Sequence, residues 1–575
     1  MKKLLIIAAF AAAGIGAYLF IPQQNSSASY NVLDYVPADT PIFTGQLEPF
    51  PLKDYLSSAP VMASPTEQQR LDDLYDKNNP KLNFFLNIFA TYQEGLQDPD
   101  SLIKTFGFPE QLRAYFYTLG LLPVLKFEIE NPQAVWDLLD KNELETGFTH
   151  SKGTLQSLNY RAYPLTDEND PAKLELIIAI DKGLLTITLN SAYSEQTLLA
   201  TALGLTKVEN SLAASGQIEE IIKTHNFNQA SVGFINHLEL FKGFTTMNGN
   251  QLASQLTTIE KQYHQESFFT SIRNAQCESE FAGIANNWPR TVFGYTELAI
   301  NAKESTLAVA TIFESKNQTI LNALKSIRGY IPEYVADLEH NVFAMGLSLD
   351  INQLAGSLND ILYELQTPAY SCQPLAELQT EINQLGGSIA MLGMGASMAN
   401  GVKGISIGIL DYTISQLNND PILENLDALF TLSADNPQQI FNSVKMFSPE
   451  LQQIQLSNSG EAIDLATLFP IPAELNLAPK LAIKGKHLLI YNGEKGKKVA
   501  DTLSSEQLNK NGIFNLSFDF KKMFTPIVTA AELAGETIPE EAMFLSDYDA
   551  RMKIGFDINQ QGIIFDSYIN NKAAK

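Results

Sequence analysis

The chain has few of the residues from which metal-binding and reactive sites are built. Its 575 residues include only two cysteines, two tryptophans and six histidines. No two histidines are four residues apart, the spacing that places two zinc ligands on one face of a helix. Neither cysteine has a second cysteine or a histidine at ligand spacing. The sequence therefore predicts no metal. The histidines are His150, His225, His237, His264, His340 and His487.

Basic residues are also scarce. The chain has 39 Lys and Arg against 64 Asp and Glu, a formal net charge of −25. A body this acidic repels phosphate backbones and anionic head groups, so a nucleic-acid partner is disfavoured. The acids are scattered along the chain, which is typical of a solvated surface. Scattered acids also offer no recognisable carboxylate pair for glycoside chemistry.

Cofactor motifs are missing as well. The chain contains neither the glycine-rich phosphate loop nor the dinucleotide-binding fingerprint, and we expect no cofactor and no catalytic site. One alternative rests on Gly395-Ala396-Ser397-Met398-Ala399, a degenerate nucleophile elbow. A true elbow needs a glycine where Ala399 stands, because the turn is sterically tight. Under this alternative the protein is an exported serine hydrolase using Ser397, or a carboxylate hydrolase.

The one long uncharged run is at the N-terminus. Lys2 and Lys3 precede Leu4 to Ile21, which carries no charge and approaches the roughly 20 residues that span a bilayer. The two lysines would keep the N-terminus in the cytoplasm. We expect residues 1–28 to be a signal anchor and short linker, holding a periplasmic body at a bacterial inner membrane. Cleavage as a signal peptide after Ser26-Ser27-Ala28 is the alternative.

A turn and a strand follow the linker. Val36-Pro37-Ala38-Asp39-Thr40-Pro41 leads into the alternating segment Ile42 to Leu47. This start resembles an exported bacterial protein family of unknown function, whose members begin with a Pro-Ala-Asp-Thr turn and an apolar strand just after the membrane segment. The resemblance is confined to this stretch. It implies an envelope location and nothing about activity.

A strand-to-helix junction occurs twice in the chain. Asn131-Pro132 and Asn436-Pro437 are 305 residues apart (436 − 131), and each follows an alternating apolar segment. The asparagine can cap a helix through its side-chain oxygen, and the proline suits the first helical position. Other landmarks recur at nearly the same offset: Ile42–Leu47 with Val342–Leu347, and the turn Asp181–Gly183 with Lys484–Lys486.

These repeats predict an α+β fold of two tandem lobes, residues 29–338 and 339–575, the second an internal repeat of the first. Each lobe is expected to be a largely antiparallel sheet with helices packed on one face. An amphipathic helix from Asn317 to Leu338, broken at Pro332, is expected to link them.

One stretch of the second lobe lacks charge altogether. No charged residue lies between Glu381 and Lys403, and the stretch is rich in Gly, Ala, Ser and Met. Asn400-Gly401 between apolar runs predicts a β-hairpin of Ser388–Met398 and Ile405–Tyr412. Its small residues would let a helix or an elongated ligand pack closely.

The two cysteines are Cys277 and Cys372. In an exported protein such a pair most simply forms a disulfide, and the alternative is two unpaired buried thiols. The repeated residues are core and turn positions rather than reactive ones. We therefore expect a non-catalytic envelope protein that binds an apolar ligand or a protein partner, or that acts in envelope assembly.

Overall fold

The fold is α+β, as predicted, with 18 α-helices and a large antiparallel sheet in the part of the chain that the structure describes. The expected membrane segment, residues 1–28, lies outside the part of the chain that the structure describes. Within that part, no helix is both long and apolar enough to cross a bilayer. The computed structural model describes residues 32–59, 73–76, 78–167, 169–263, 268–396, 399–417, 420–458, 460–472, 475 and 477–573.

The chain forms two compact units. The first comprises the residues up to 285 together with 290–309, and the second comprises 286–289 and the residues from 310 onward. The chain passes from the first to the second inside one strand, Glu304–Glu314. That position precedes the lobe boundary expected between residues 338 and 339.

The main sheet of the first unit is antiparallel throughout. In chain order the strands are β1 Ile42–Gln46, β2 Phe50–Pro51, β3 Gln111–Leu112, β4 Ala114–Leu119, β5 Leu122–Glu128, β6 Ser151–Leu155, β7 Leu158–Pro164, β8 Glu175–Asp181, β9 Leu184–Asn190, β10 Ser231–Asn236, β11 Arg290–Asn301 and β12 Glu304–Glu314. The spatial order is β6-β7-β8-β9-β5-β4-β1-β10-β11, and β2 and β3 form a separate small sheet.

The sheet of the second unit is antiparallel as well. Its strands are β13 Phe343–Leu347, β14 Val402–Leu417, β15 Asp420–Ala434, β16 Ile463–Asp464, β17 Lys480–Lys484, β18 His487–Asn492, β19 Phe514–Asp519, β20 Ala550–Ile558 and β21 Gly562–Lys572. The spatial order is β16-β17-β18-β15-β14-β13-β19-β20-β21.

The helices are distributed over both units. In the first they are α1 Leu52–Ser58, α2 Pro80–Gly95, α3 Pro99–Phe106, α4 Pro132–Thr146, α5 Gln196–Ala202, α6 Leu212–Ser215, α7 Gln217–His225, α8 His237–Thr245, α9 Gln251–Tyr263, α10 Phe268–Ile272 and α11 Ala275–Asn287. In the second they are α12 Gln318–Ser326, α13 Ile351–Gln366, α14 Gln373–Ala396, α15 Pro437–Lys445, α16 Gly493–Leu503, α17 Phe520–Ala534 and α18 Glu540–Asp547.

Both predicted strand-to-helix junctions form. The side chain of Asn131 accepts a hydrogen bond from the Ala134 amide at 3.4 Å, at the start of α4. The side chain of Asn436 accepts one from the Gln439 amide at 3.2 Å, at the start of α15. In each helix the following proline occupies the first turn, where its missing N–H costs nothing.

Helices cover both faces of the first unit's sheet, so the expectation of helices on one face only is wrong. Successive strand residues point to opposite faces. In β8, Ile177 packs with Leu199 of α5, whereas its neighbour Ile178 packs in the cluster that contains Leu139 of α4. Because β8 is apolar on both sides, each side needs its own cover.

The expected β-hairpin in the second unit is wrong in its first half. Residues 388–396 belong to helix α14, and residues 397–398 lie outside the described residues. The Leu, Met and Ala residues of this stretch are good helix formers, and their propensity prevails over the Asn-Gly signal. That turn is real but joins a helix to strand β14, with Gly401 at φ +87°. The second half, Ile405–Tyr412, lies in β14 as expected.

The predicted linker helix is shorter than expected. Helix α12 ends at Ser326, well before Pro332, and a 3-10 helix of four residues, Glu333–Ala336, follows the proline. Between the two elements, Arg328 and Gly329 form isolated β-bridges with Leu349 and Gly512, so the chain leaves the helix before it reaches the proline.

Both cysteines are disulfide-bonded, which confirms the predicted Cys277–Cys372 bond. Cys277 lies in α11 and Cys372 directly precedes α14, and the two residues are 1% and 2% exposed. The bond closes a loop of 96 residues, counted from 277 to 372 inclusive. A cross-link over a loop this long removes much conformational entropy from the unfolded chain.

We expect Cys372→Ser to lower the free energy of unfolding, with an upper limit of about 4.7 kcal/mol for a loop of this size. Urea unfolding followed by circular dichroism measures the loss. Cys277→Ser should cost a similar amount, and the double variant should cost no more than about either single one, because one bond is lost in all three. Losses that add would contradict a single shared bond.

Candidate apolar binding face

One side of the second unit's sheet carries a row of large apolar side chains. Ile490, Phe430, Ile407, Met345 and Leu516 are successive partners in the registers of β18, β15, β14, β13 and β19. Directly opposed residues in an antiparallel sheet point to the same side. The row is therefore continuous across five strands.

A second row runs parallel to the first, two residues along each strand. Its members are Leu488, Leu432, Ile405, Leu347, Phe514 and Phe556. We call the two rows together the apolar face. Six of its side chains are exposed by 36 to 43%, and these are Ile490, Met345, Ile407, Phe430, Leu347 and Ile405.

On the opposite, covered side, β13 and β14 carry small or polar side chains, whereas β15 and β18 contribute the buried leucines Leu429 and Leu489. Between the exposed isoleucines of β14 lies Ser406, which is 4% exposed, and the next inward residue is the buried Gly408. In β15, Thr431 and Ser433 are fully buried. Tyr334 of the 3-10 helix donates a hydrogen bond to the Ser406 hydroxyl at 3.0 Å. A sheet usually directs its larger apolar side chains to its covered side. On β13 and β14 the arrangement is the reverse, because the larger apolar side chains point to the exposed side.

A cavity of about 530 Å³ adjoins the apolar face. It lies between helices α13 and α14, which pack against each other. In the sequence these two helices connect β13 to β14. Ile351 and Ala399 line the cavity and also pack in the cluster that contains Leu432 of the apolar face. Its lining includes Ile351, Leu354, Ser388, Met391, Leu392 and Ala399, and of these only Ser388 is polar.

Two cations next to the apolar face, Lys403 of β14 and Arg328, are paired with carboxylates of the chain. Lys403 of β14 lies 2.8 Å from the Asp350 carboxylate and 3.2 Å from that of Asp435. Arg328 donates two hydrogen bonds of 2.6 Å to the carboxylate of Asp557 in β20. Burial lowers the pKa of Lys403, but its hydrogen bonds to Asp350 and Asp435 outweigh burial and raise the pKa above its ordinary value.

The candidate nucleophile Ser397 lies outside the described residues. Gly395 and Ala396 are the last residues of helix α14 that precede it, so the chain reaches Ser397 from a helix rather than from the strand of a nucleophile elbow. None of the cavity-lining residues is a histidine or an acid. The alternative hydrolase therefore gains no supporting contact from the described part of the site.

Imidazole–carboxylate pairs occur elsewhere. Nδ1 of His150 lies 2.6 Å from Glu143, which also accepts a hydrogen bond from the Tyr163 hydroxyl at 2.6 Å. Arg161 lies 3.3 Å from the same carboxylate. This network joins α4 to strand β7 and to His150, which directly precedes β6. Across the described ranges, no group of three or more His, Cys, Asp or Glu side chains is placed to hold a metal ion.

A lysine that the sequence pattern did not single out is fully enclosed in the first unit. Lys126 of β5 is 1% exposed, and its Nζ donates a hydrogen bond of 2.8 Å to the Thr186 hydroxyl. Burial lowers the pKa of Lys126 to about 7. The sequence signal for this buried lysine is its position among alternating apolar residues. Alternation alone does not say which side of a strand is buried, so the signal did not identify Lys126.

Comparison with known proteins does not assign the chain to a family. No family model and no curated protein matches the chain. Two crystal forms of a protein titled TP0453 align with 49% and 50% of this chain and with 81% and 80% of their own. Their sequence identity is 9% in both cases, and the TM-scores are 0.22 and 0.21. A likeness at this level carries no argument about fold or function.

We expect Lys126→Met to stabilise the protein near neutral pH and to flatten its pH dependence. Between a folded pKa of about 7 and the ordinary 10.5, the unfolded chain holds a proton on Lys126 that the folded chain lacks. The free energy of unfolding of the wild type should therefore rise with pH in this window, by up to about 1.4 kcal/mol per unit.

Urea unfolding at a series of pH values measures this effect. The exposed Lys152→Met is the matched control and should leave the slope unchanged. Equal slopes in wild type and Lys126→Met would contradict the assignment.

Proposed function

We propose that this is a non-catalytic bacterial envelope protein that binds an apolar ligand on the apolar face of its second unit. The observation that carries the proposal is the reversed arrangement of side chains on β13 and β14. Met345, Leu347, Ile405 and Ile407 point to the open side, while Ala344 is fully buried on the covered side. Large contiguous apolar patches on a folded surface mark interaction sites.

The energetic argument favours an occupant. Removing apolar surface from water stabilises a complex by roughly 25 cal/mol per Å². Six side chains of the face retain more than a third of their exposure, so an apolar molecule lying on them gains from each. The sheet interior is already rigid, because each of these strands is hydrogen-bonded on both sides. A preformed surface loses little conformational entropy on binding.

A protein partner is the alternative ligand for the apolar face. Interior strands offer no free backbone edge, so such a partner could bind only through side chains. The internally paired charges Lys403–Asp350 and Arg328–Asp557 offer it little electrostatic complementarity. Both points favour a small apolar ligand.

We further propose that the two units arose by duplication, with lobes 29–338 and 339–575. The order β9-β5-β4-β1-β10-β11 in the first corresponds to β18-β15-β14-β13-β19-β20 in the second, with α4 and α15 at equivalent places. On the side where α4 packs, the first unit buries Thr44 and Gln46 of β1 to 4% and 3% exposure. Ligand binding would then be a property that the second lobe alone acquired or kept.

Site-directed photo-cross-linking in cells tests the binding proposal. A benzophenone amino acid at Ile407 should form an adduct with a small apolar molecule, detected by intact mass. The matched control is Phe447, which is 71% exposed in the same unit but lies outside the apolar face. An adduct at Ile407 that is protein in mass would favour a protein partner. Equal labelling at both positions, or none at Ile407, would refute a specific site.

The proposed location rests on the sequence of residues 1–28. The uncharged segment from Leu4 to Ile21 behind two lysines supports an inner-membrane anchor with the body in the periplasm. We expect the full-length chain to fractionate with inner membranes and to resist extraction by alkaline carbonate. A soluble periplasmic form that begins near Ser29 would instead establish cleavage.

A further inference from the structure

We propose that the ligand is a single linear alkyl chain that lies along the apolar face and inserts one end into the cavity between α13 and α14. This inference rests on the proposed function and specifies its ligand. The connecting observation is that Ile351 and Ala399 belong both to the cavity lining and to the cluster around Leu432. The cavity therefore lies beside Leu432 of the second row.

The shape of the surface favours a long, thin occupant. The exposed part of the first row, from Ile490 to Met345, crosses four strands, and its three spacings of roughly 4.8 Å make about 14 Å. The end residues of the second row, Leu488 and Phe556, pack against the chain's own clusters. The two rows are two residues apart along each strand, only about 7 Å. A strip of these proportions matches an extended hydrocarbon chain better than a compact ring system.

The chemistry of the surface favours a neutral chain. Both rows are apolar throughout, and Lys403 and Arg328 at the strand ends are committed to Asp350 and Asp557. In helix α14, Met391 and Met394 are 70% and 69% exposed. Unbranched, polarizable methionine side chains adapt to an occupant of variable length. The charge of −25 disfavours an anionic head group close to the body.

Displacement by a homologous series of n-alkanols tests the inference. The full chain is purified, freed of lipid and loaded with the fluorescent probe N-phenylnaphthylamine. We expect affinity to rise about fourfold with each added methylene, the effect of burying one more CH₂. The rise should level off once the chain fills the site.

Three variants separate the parts of the site. Met391→Glu should lower the chain length at which affinity levels off and leave the affinity for short alkanols unchanged. Ile407→Glu, or the milder Ile407→Ser, should weaken every member of the series. Phe447→Glu, outside the apolar face, should change nothing. Circular dichroism checks that each variant is folded.

The outcomes distinguish the two proposals. If Ile407→Glu weakens binding and Met391→Glu has no effect, the chain does not enter the cavity and this inference is wrong, while the proposed function stands. If neither Ile407 variant weakens binding, the proposed function fails as well. An affinity that is independent of chain length would overturn the alkyl-chain ligand for either site.

Discussion

The close approach of one 3-10 helix to the sheet determines how the second unit presents its side chains. Tyr334 packs flat enough on β14 that a Cβ at Gly408 would lie 2.8 Å from its ring, and one at Gly346 would lie 2.7 Å from Ile331. Burial raises the pKa of Tyr334 to about 12, so its hydroxyl stays protonated and bonds to Ser406. At these positions of β13 and β14 only small residues fit. Because side chains alternate along a strand, the bulky residues of β13 and β14 must point the other way.

The first unit has a corresponding strand order, but it buries both sides of its central strand. Its central strand β1 directs Phe43 into a fully buried position against the ring of Phe234, 5.7 Å away. The intervening Thr44 and Gln46 are polar and are also buried. Both sides of that strand are thus enclosed by the chain itself. On β13 and β14, the second unit encloses one side and leaves Met345, Leu347, Ile405 and Ile407 exposed on the other. The proposed binding role rests on this difference.

Local chemistry made much of this architecture predictable. Asn-Pro junctions and short glycine turns act within four residues, and Asn131, Asn436, Gly183 and Gly485 all take the expected places. The apolar face was not predictable, because Ile405, Ile407 and Ile409 alternate with the same period whichever side is enclosed. Which side is open depends on Tyr334, some 70 residues earlier in the chain (406 − 334 = 72). The helix α14 was missed for a related reason, since glycine and Asn400 suggested a turn inside a segment whose Leu and Met residues favour a helix.

An exposed apolar face promotes unwanted association between copies of the protein, and it has little effect on the stability of the fold. Side chains that remain exposed in the folded chain lose little by folding, but they offer a contact surface to every other copy. The acidic excess of 25 charges opposes that contact, because like-charged bodies repel at short range. The repulsion acts on another copy of this chain and on anionic surfaces, and it leaves a neutral hydrocarbon unaffected. In the binding role proposed above, a high net charge beside an uncharged apolar face would disfavour acidic macromolecules and leave the binding of small neutral apolar molecules unaffected.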